Sequence, residues 1–301
     1  MAKKNRKNEQ LPEGMSRRQA KLAARAAERE ALQKDPRPYA GLVAEADLVA
    51  LQEFVPSAVA SLEVKGTPVN IVTVLPGAVA AMVRDDDDAR FVALQTQARS
   101  QNPGRDLAFA LNWVLEAKPG DSLSSGVADG TQPKITELIE ADATLEISEY
   151  DDFNWWFSNA SGMPLEIQQM LQRANDSVIP SRQVEKDLPG SIWWVNPGGG
   201  KAHIRWIRTE DNETDMLNAL ARIGARGELN LGEGTKFAGA FRTHGVVVPV
   251  FDLDPEVEHD SYGDALQALN DAIEKEYAND AQLSAEERRQ LENIKSRQVT
   301  I

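Results

Sequence analysis

Three times along this chain, two short apolar runs flank a polar turn and a segment of helical period follows. Ala80–Val83 and Phe91–Ala98 flank the four aspartates Asp85–Asp88, ahead of an apolar-faced segment over Asp106–Ala117. Ile192–Val195 and Ala202–Ile207 flank Asn196-Pro-Gly-Gly-Gly200 and lead into Asp215–Ile223. Ala238–Arg242 and Val246–Phe251 meet at His244-Gly245 and lead into Tyr262–Tyr277. Short apolar runs closed by a turn are hairpins. Hairpin followed by helix, repeated, predicts an α+β fold: antiparallel sheets with helices on one face, built from ββα units, with a tandem duplication as one reading of the pattern.

Other segments fill in around these units. Leu48-Val-Ala-Leu51 with Phe54 predicts a helix stopped at Pro56, and Val69–Val74 a strand. Residues 118–133 are rich in Gly, Ser and Asp and predict a loop. A short helix over Ile135–Glu140, a strand over Leu145–Tyr150 and a helix over Leu165–Ala174 follow. Ser284 with Glu287 predicts a capping box that opens a solvated terminal helix. The domain reading is residues 1–37 as a basic tail and helix, 38–179 and 180–280 as two α+β domains, and 281–301 as a C-terminal helix.

Charge is segregated along the chain. Residues 1–37 carry eleven Lys or Arg against five acids, a net +6; against −14 for all 301 residues, that leaves −20 for the remainder. Ser16 and Gln19 open a helix that ends before Pro36, and at helical spacing Arg17, Arg18, Lys21, Arg25 and Arg29 gather toward one side of it. Large apolar residues are few there, so the helix has little to bury. A cationic arm on an anionic body seeks a polyanion while the body is repelled by one.

The absence of cysteine excludes disulfides, thiolate metal sites and cysteine nucleophiles. No apolar leader follows the basic start, and no run approaches the roughly 20 apolar residues of a membrane span. The expectation is a cytoplasmic protein without membrane partners.

Candidate chemistry is sparse. Asn196-Pro-Gly-Gly-Gly-Lys201 lacks the Ser/Thr of a phosphate loop and leads into a strand, so its glycines serve a turn. Asp85–Asp88 lacks the spacing of a calcium loop and reads as a solvated turn. Asp252 and Asp254 share one strand face and make a metal-assisted hydrolase one reading; a strand-end cap is the plainer one. His203, His244 and His259 show no ligand spacing, and His203 alternating with Arg205 reads as a polar outer face. Trp155-Trp156 and Trp193-Trp194 are tandem pairs, so neighbouring rings on a strand face opposite ways. Core packing is the first reading for them; a partner-binding face at Trp194, Arg205 and Trp206 is the second.

At Met15–Ala24 (MSRRQAKLAA), Pro36-Arg-Pro-Tyr39, Leu48–Pro56 (LVALQEFVP) and Arg105-Asp-Leu107, the chain resembles an uncharacterised family of actinobacterial cytoplasmic proteins, a domain of unknown function. The resemblance runs over nearly the whole length and supplies no catalytic residues. The expectation is a non-enzymatic protein without cofactor or bound metal. It docks its basic arm on RNA or a ribonucleoprotein surface such as the ribosome. The alternative is a protein-interaction or chaperone-like module using the Trp-bearing sheet face.

Overall fold

A computed structural model of the chain describes residues 34–159, 163–185 and 187–301, together with Arg18 and Leu22. Twelve strands in two six-stranded sheets and six α-helices make up the regular structure of the described residues. The first sheet runs β5-β3-β4-β2-β1-β6 and the second β12-β10-β11-β9-β8-β7.

The first sheet comprises β1 (Ala58–Val64), β2 (Thr67–Val72), β3 (Ala81–Val83), β4 (Arg90–Ala93), β5 (Ser122–Leu123) and β6 (Glu146–Glu149). Its strands alternate as a pleat requires. Ala58, Ala60, Leu62 and Val64 of β1 point to one face with Ile71, Val83 and Val92, where α1 (Glu45–Glu53) and α2 (Pro103–Glu116) cover them. Val72, Phe91 and Ala93 point the other way and are capped by Trp155. Beside them Phe153 stacks on Trp156, ring centroids 4.6 Å apart, above Leu171 of α3 (Leu165–Asn175).

The second sheet comprises β7 (Ser181–Val184), β8 (Ser191–Val195), β9 (Ala202–Ile207), β10 (Lys236–Thr243), β11 (Val246–Leu253) and β12 (Gln298–Thr300). Ile192, Ile204, Trp206 and Phe251 face α4 (Glu213–Ala225), α5 (Gly263–Tyr277) and α6 (Ala285–Ser296). Asn212 caps α4 through Thr214 N at 2.9 Å, and Ser284 with Glu287 forms the capping box of α6. Trp193, Val195, Ile207 and Val248 face the opposite way, into the same core as α1 and the first sheet.

Helix α1 therefore sits between the two sheets. Leu48, Val49, Ala50 and Leu51 are all at 0% exposure, so no side of the helix middle meets water. Such a helix must be apolar all round, and LVAL is. Strands β1–β6 all precede residue 180 and β7–β12 all follow it, while one hydrophobic core draws on both sheets.

Several features differ from the sequence reading. The sheets are mixed rather than purely antiparallel: β2 and β4 run parallel, as do β10 and β12. Helices also do not keep to one face, because α1 covers the side of the second sheet opposite α4–α6. Strands β1, β5, β7 and β12 escaped the reading: AVASLEV and SRQV are short of large apolar residues, β5 is two residues inside the Gly/Ser/Asp-rich segment read as a loop, and β12 follows a charged helix. Nor is α6 merely solvated: it buries Ile294 against the second core.

A core shared by both sheets should unfold as one unit. Leu51→Ala should cost about 2–5 kcal/mol and leave a single transition in urea, with tryptophan fluorescence and circular dichroism coinciding. Two separated transitions would mean that α1 does not couple the sheets.

Candidate functional site

The basic stripe expected of Arg17, Arg18, Lys21, Arg25 and Arg29 lies outside the described residues except for Arg18, which is exposed. The root of the arm is well defined. Arg37 forms a bidentate pair with Glu45 at the start of α1, both bonds 2.7 Å, and also reaches Asp211 Oδ1 at 3.0 Å and the carbonyl of Thr209 at 2.5 Å. Glu45 is buried, and its hydrogen bond is the chief cause holding the Arg37 guanidinium above its ordinary value. Asp35 N donates to Asn102 Oδ1 at 2.5 Å. Gly245, at φ +77°, lies so close under Pro36 that a Cβ would stand 2.5 Å from the Pro36 carbonyl oxygen. Residues 35–37 are thereby tied to both sheets' halves of the molecule at once.

A second site lies on the face of the second sheet that turns toward α1. Cross-strand register places Trp193, Arg205 and Val250 in one row, and Val195, His203 and Asp252 in the next. Because both faces of this sheet are covered, the His203/Arg205 alternation marks an inner face, not the polar outer one expected of it. Arg205 lies across the Phe54 ring, its guanidinium carbon 5.5 Å from the centroid, and Phe54 in turn meets Phe241 at 5.6 Å. Its Nε is shielded from solvent and has no hydrogen-bond partner among the described residues. Burial pulls this guanidinium below the ordinary arginine value.

Beside Arg205 opens a cleft of about 280 Å³ floored by Phe241 and Val250, with His203 and Asp252 at one side and exposed Arg297 at the rim. Gly239 makes this arrangement possible: a Cβ there would lie 2.7 Å from the Arg297 carbonyl oxygen, so only glycine lets the end of α6 approach β10. A register shift between Phe237 and Gly239 marks the same point. Asp252 takes Lys201 Nζ on Oδ2 at 2.6 Å, while His203 Nδ1 lies 3.1 Å from Oδ1, close in charge but poorly aligned for a hydrogen bond. Burial works against the Asp252 carboxylate, yet the Lys201 hydrogen bond and charge, with His203, hold it below the usual range. Burial likewise pushes His203 down, against the pull of Asp252.

The remaining candidates sit apart. Trp206 is fully enclosed, its Nε1 donating to the Pro189 carbonyl at 2.8 Å under the Arg208 guanidinium, and so presents nothing to a partner. Trp194 is half-buried against the second core, ring to ring with His259 at 5.7 Å. Trp193 is the enclosed member of its pair, donating to Ser191 Oγ at 2.9 Å. Asp254 accepts from Glu256 N at 2.9 Å and caps the turn after β11. With Asp252 committed to Lys201, the pair does not assemble a cation site, and no group of three or more His, Asp or Glu among the described residues is arranged for a metal. Asp86 and Asp87 are held by Arg84 in the β3–β4 turn. No helix among the described residues is long and apolar enough to cross a membrane.

Sequence reasoning found Arg205 and Asp252 singly but not their meeting place, and it missed Arg37 as an anchor. The usable signal was the His-x-Arg pair on a strand that itself carries Trp206 and pairs with the strand of Trp193 and Trp194, a poor candidate for solvent exposure.

The salt link at Asp252 has a pH consequence. A carboxyl depressed by folding adds stability above the unfolded aspartate value of about 3.9, and that contribution is lost as pH falls through the folded value. Lys201→Met should move the Asp252 carboxyl upward in a carboxyl-carbon NMR titration; an unmoved titration would remove Lys201 as the cause.

No curated protein and no solved structure matches the chain. Residues 38–301 match the family of unknown function DUF5926. That span covers both sheets and the six α-helices of the described residues and begins at the residue after the Arg37 anchor, so the chain belongs to DUF5926, a family of unknown function.

Proposed function

We propose that this is a non-enzymatic binding protein that docks on a polyanion, RNA or a ribonucleoprotein surface, through its basic N-terminal arm. The observation that carries the reading is the placement of charge. Arg37 spends its charge inward on Glu45 and Asp211, yet the chain ahead of it loses nothing by this. Residues 1–34 hold ten Lys or Arg and four acids, still a net +6. The body offers no comparable surplus. Arg84, Arg99, Arg182, Arg226 and Arg242 each pair with a carboxylate, and the net charge from residue 38 onward is −20.

A fixed root also favours the arm as the docking element. Arg37 fixes the start of the described body, so the arm is joined to it at a defined point. The anionic body then sets orientation by repulsion, keeping the rest of the surface off the polyanion. A docking face on the second sheet has less support, since Trp206 is enclosed and Trp194 is packed.

Binding should be steeply salt-dependent. Five cations of the stripe on single-stranded RNA give a slope of log K on log salt of roughly −3.5. Removing residues 1–33 should abolish this binding in a filter or fluorescence-anisotropy assay while the circular dichroism of the body is retained. Equal RNA affinity without those residues would exclude the arm.

A further inference from the structure

We infer that the cleft at Arg205 binds a small organic carboxylate with an apolar body. Arg205 is a permanent cation whose Nε is enclosed without a hydrogen-bond partner among the described residues, and whose guanidinium lies over the Phe54 ring beside the cleft. Neighbouring charges do not balance it: Asp252, the nearest acid lining the cleft, is held by Lys201. A partly enclosed guanidinium with one N–H left unmatched favours an added hydrogen-bond acceptor beside it.

What fits is set by the walls. One unmatched positive charge asks for one negative charge, and a planar guanidinium fork matches a planar carboxylate in two parallel hydrogen bonds. Arg297 at the rim adds attraction on entry. Phe241 and Val250 on the floor, with Val299 beside them, offer the rest of the ligand an apolar seat. A cleft of about 280 Å³ is at the small end of ligand sites, roughly 300–1,000 Å³, which restricts the body to a ring or a short chain. Asp252 at the side wall disfavours a ligand with a second negative charge. His203, pushed toward neutrality by burial, can accept or donate one further hydrogen bond.

The site does not depend on the arm. A monocarboxylate carries none of the polyanionic charge that RNA offers, so the two proposals fail separately.

The test uses the full chain and phenylacetate as probe, with the Arg205 Nε–H resonance followed by NMR. Phenylacetamide serves as the uncharged isostere and inorganic phosphate as an anion without a body. Phenylacetate should shift the Arg205 resonance saturably, and both controls should bind at least about tenfold more weakly. Arg205→Met keeps the stem over Phe54 and removes the charge. It should lose binding by at least about tenfold, followed on the Phe241 and Val250 resonances. Retained binding by a folded Arg205→Met variant overturns the inference. So does an unshifted spectrum at about 10 mM phenylacetate. Equal binding of the amide would reduce the site to an apolar hollow, equal binding of phosphate to an ion contact only, and either overturns it too. Should Arg205→Met not fold, Arg205→Lys, which keeps the charge without the planar fork, carries the comparison, and undiminished phenylacetate affinity there refutes the proposal.

Discussion

The burial of α1 between two sheets is the constraint on which the architecture rests. A helix of nine residues is too short to hold its shape alone, and its stability comes from packing. Sealing it on all sides creates a second requirement, because every polar group it carries must find a partner away from water. Each does so on a different part of the chain. Glu45 meets Arg37, Gln52 Oε1 accepts from Tyr39 Oη at 2.5 Å, and Asp47 Oδ1 accepts from Ser191 Oγ at 2.6 Å, itself hydrogen-bonded to Trp193. These contacts join the arm's root, the first turn of the body and the second sheet through one short element. The hydrophobic demand of LVAL thus fixes the relation between the sheets, and the polar demand of its neighbours fixes where the N-terminal segment must lie.

Much of the fold was legible because it rests on local signals. The hairpins at Asp85–Asp88, Asn196–Gly200 and His244-Gly245 and the helices that follow them form where apolar periodicity and turn residues agree. Strand pairing between distant segments leaves no such trace. β4 lies parallel to β2 and β12 parallel to β10, and nothing in RFVA or QVT alone selects a parallel neighbour. Covering was equally illegible. β11 is buried along VVVPVF on both faces, which is the run that a sheet covered twice produces, whereas the alternation in β9 imitates a sheet with one wet side. The His203/Arg205 pair was misassigned for that reason. Two polar residues on an inner face are a departure from the pattern that folding alone would select, and such departures belong to sites rather than to cores.

The treatment of charge shows the same contrast. Arg37, Arg208 and Arg222 are largely enclosed and each has an acid or carbonyl within reach: Glu45, Glu210 and the Glu276 carbonyl respectively. Their cost of burial is met inside the protein. Arg205 is treated differently by the same fold, half-enclosed with its Nε unmatched. If position 205 only had to fill the space over Phe54, an apolar side chain of similar length would do so without desolvating a charge. An arginine held there, with its fork beside an apolar-floored cleft, keeps an Nε–H that the described residues leave unmatched. The groups that would match this arrangement are those of a ligand: one carboxylate for the fork and a hydrocarbon body for Phe241 and Val250. On the two proposals, recognition divides by kind of anion: many cations in the sequence of the arm for a polyanion, and one guanidinium over an apolar floor for a monocarboxylate.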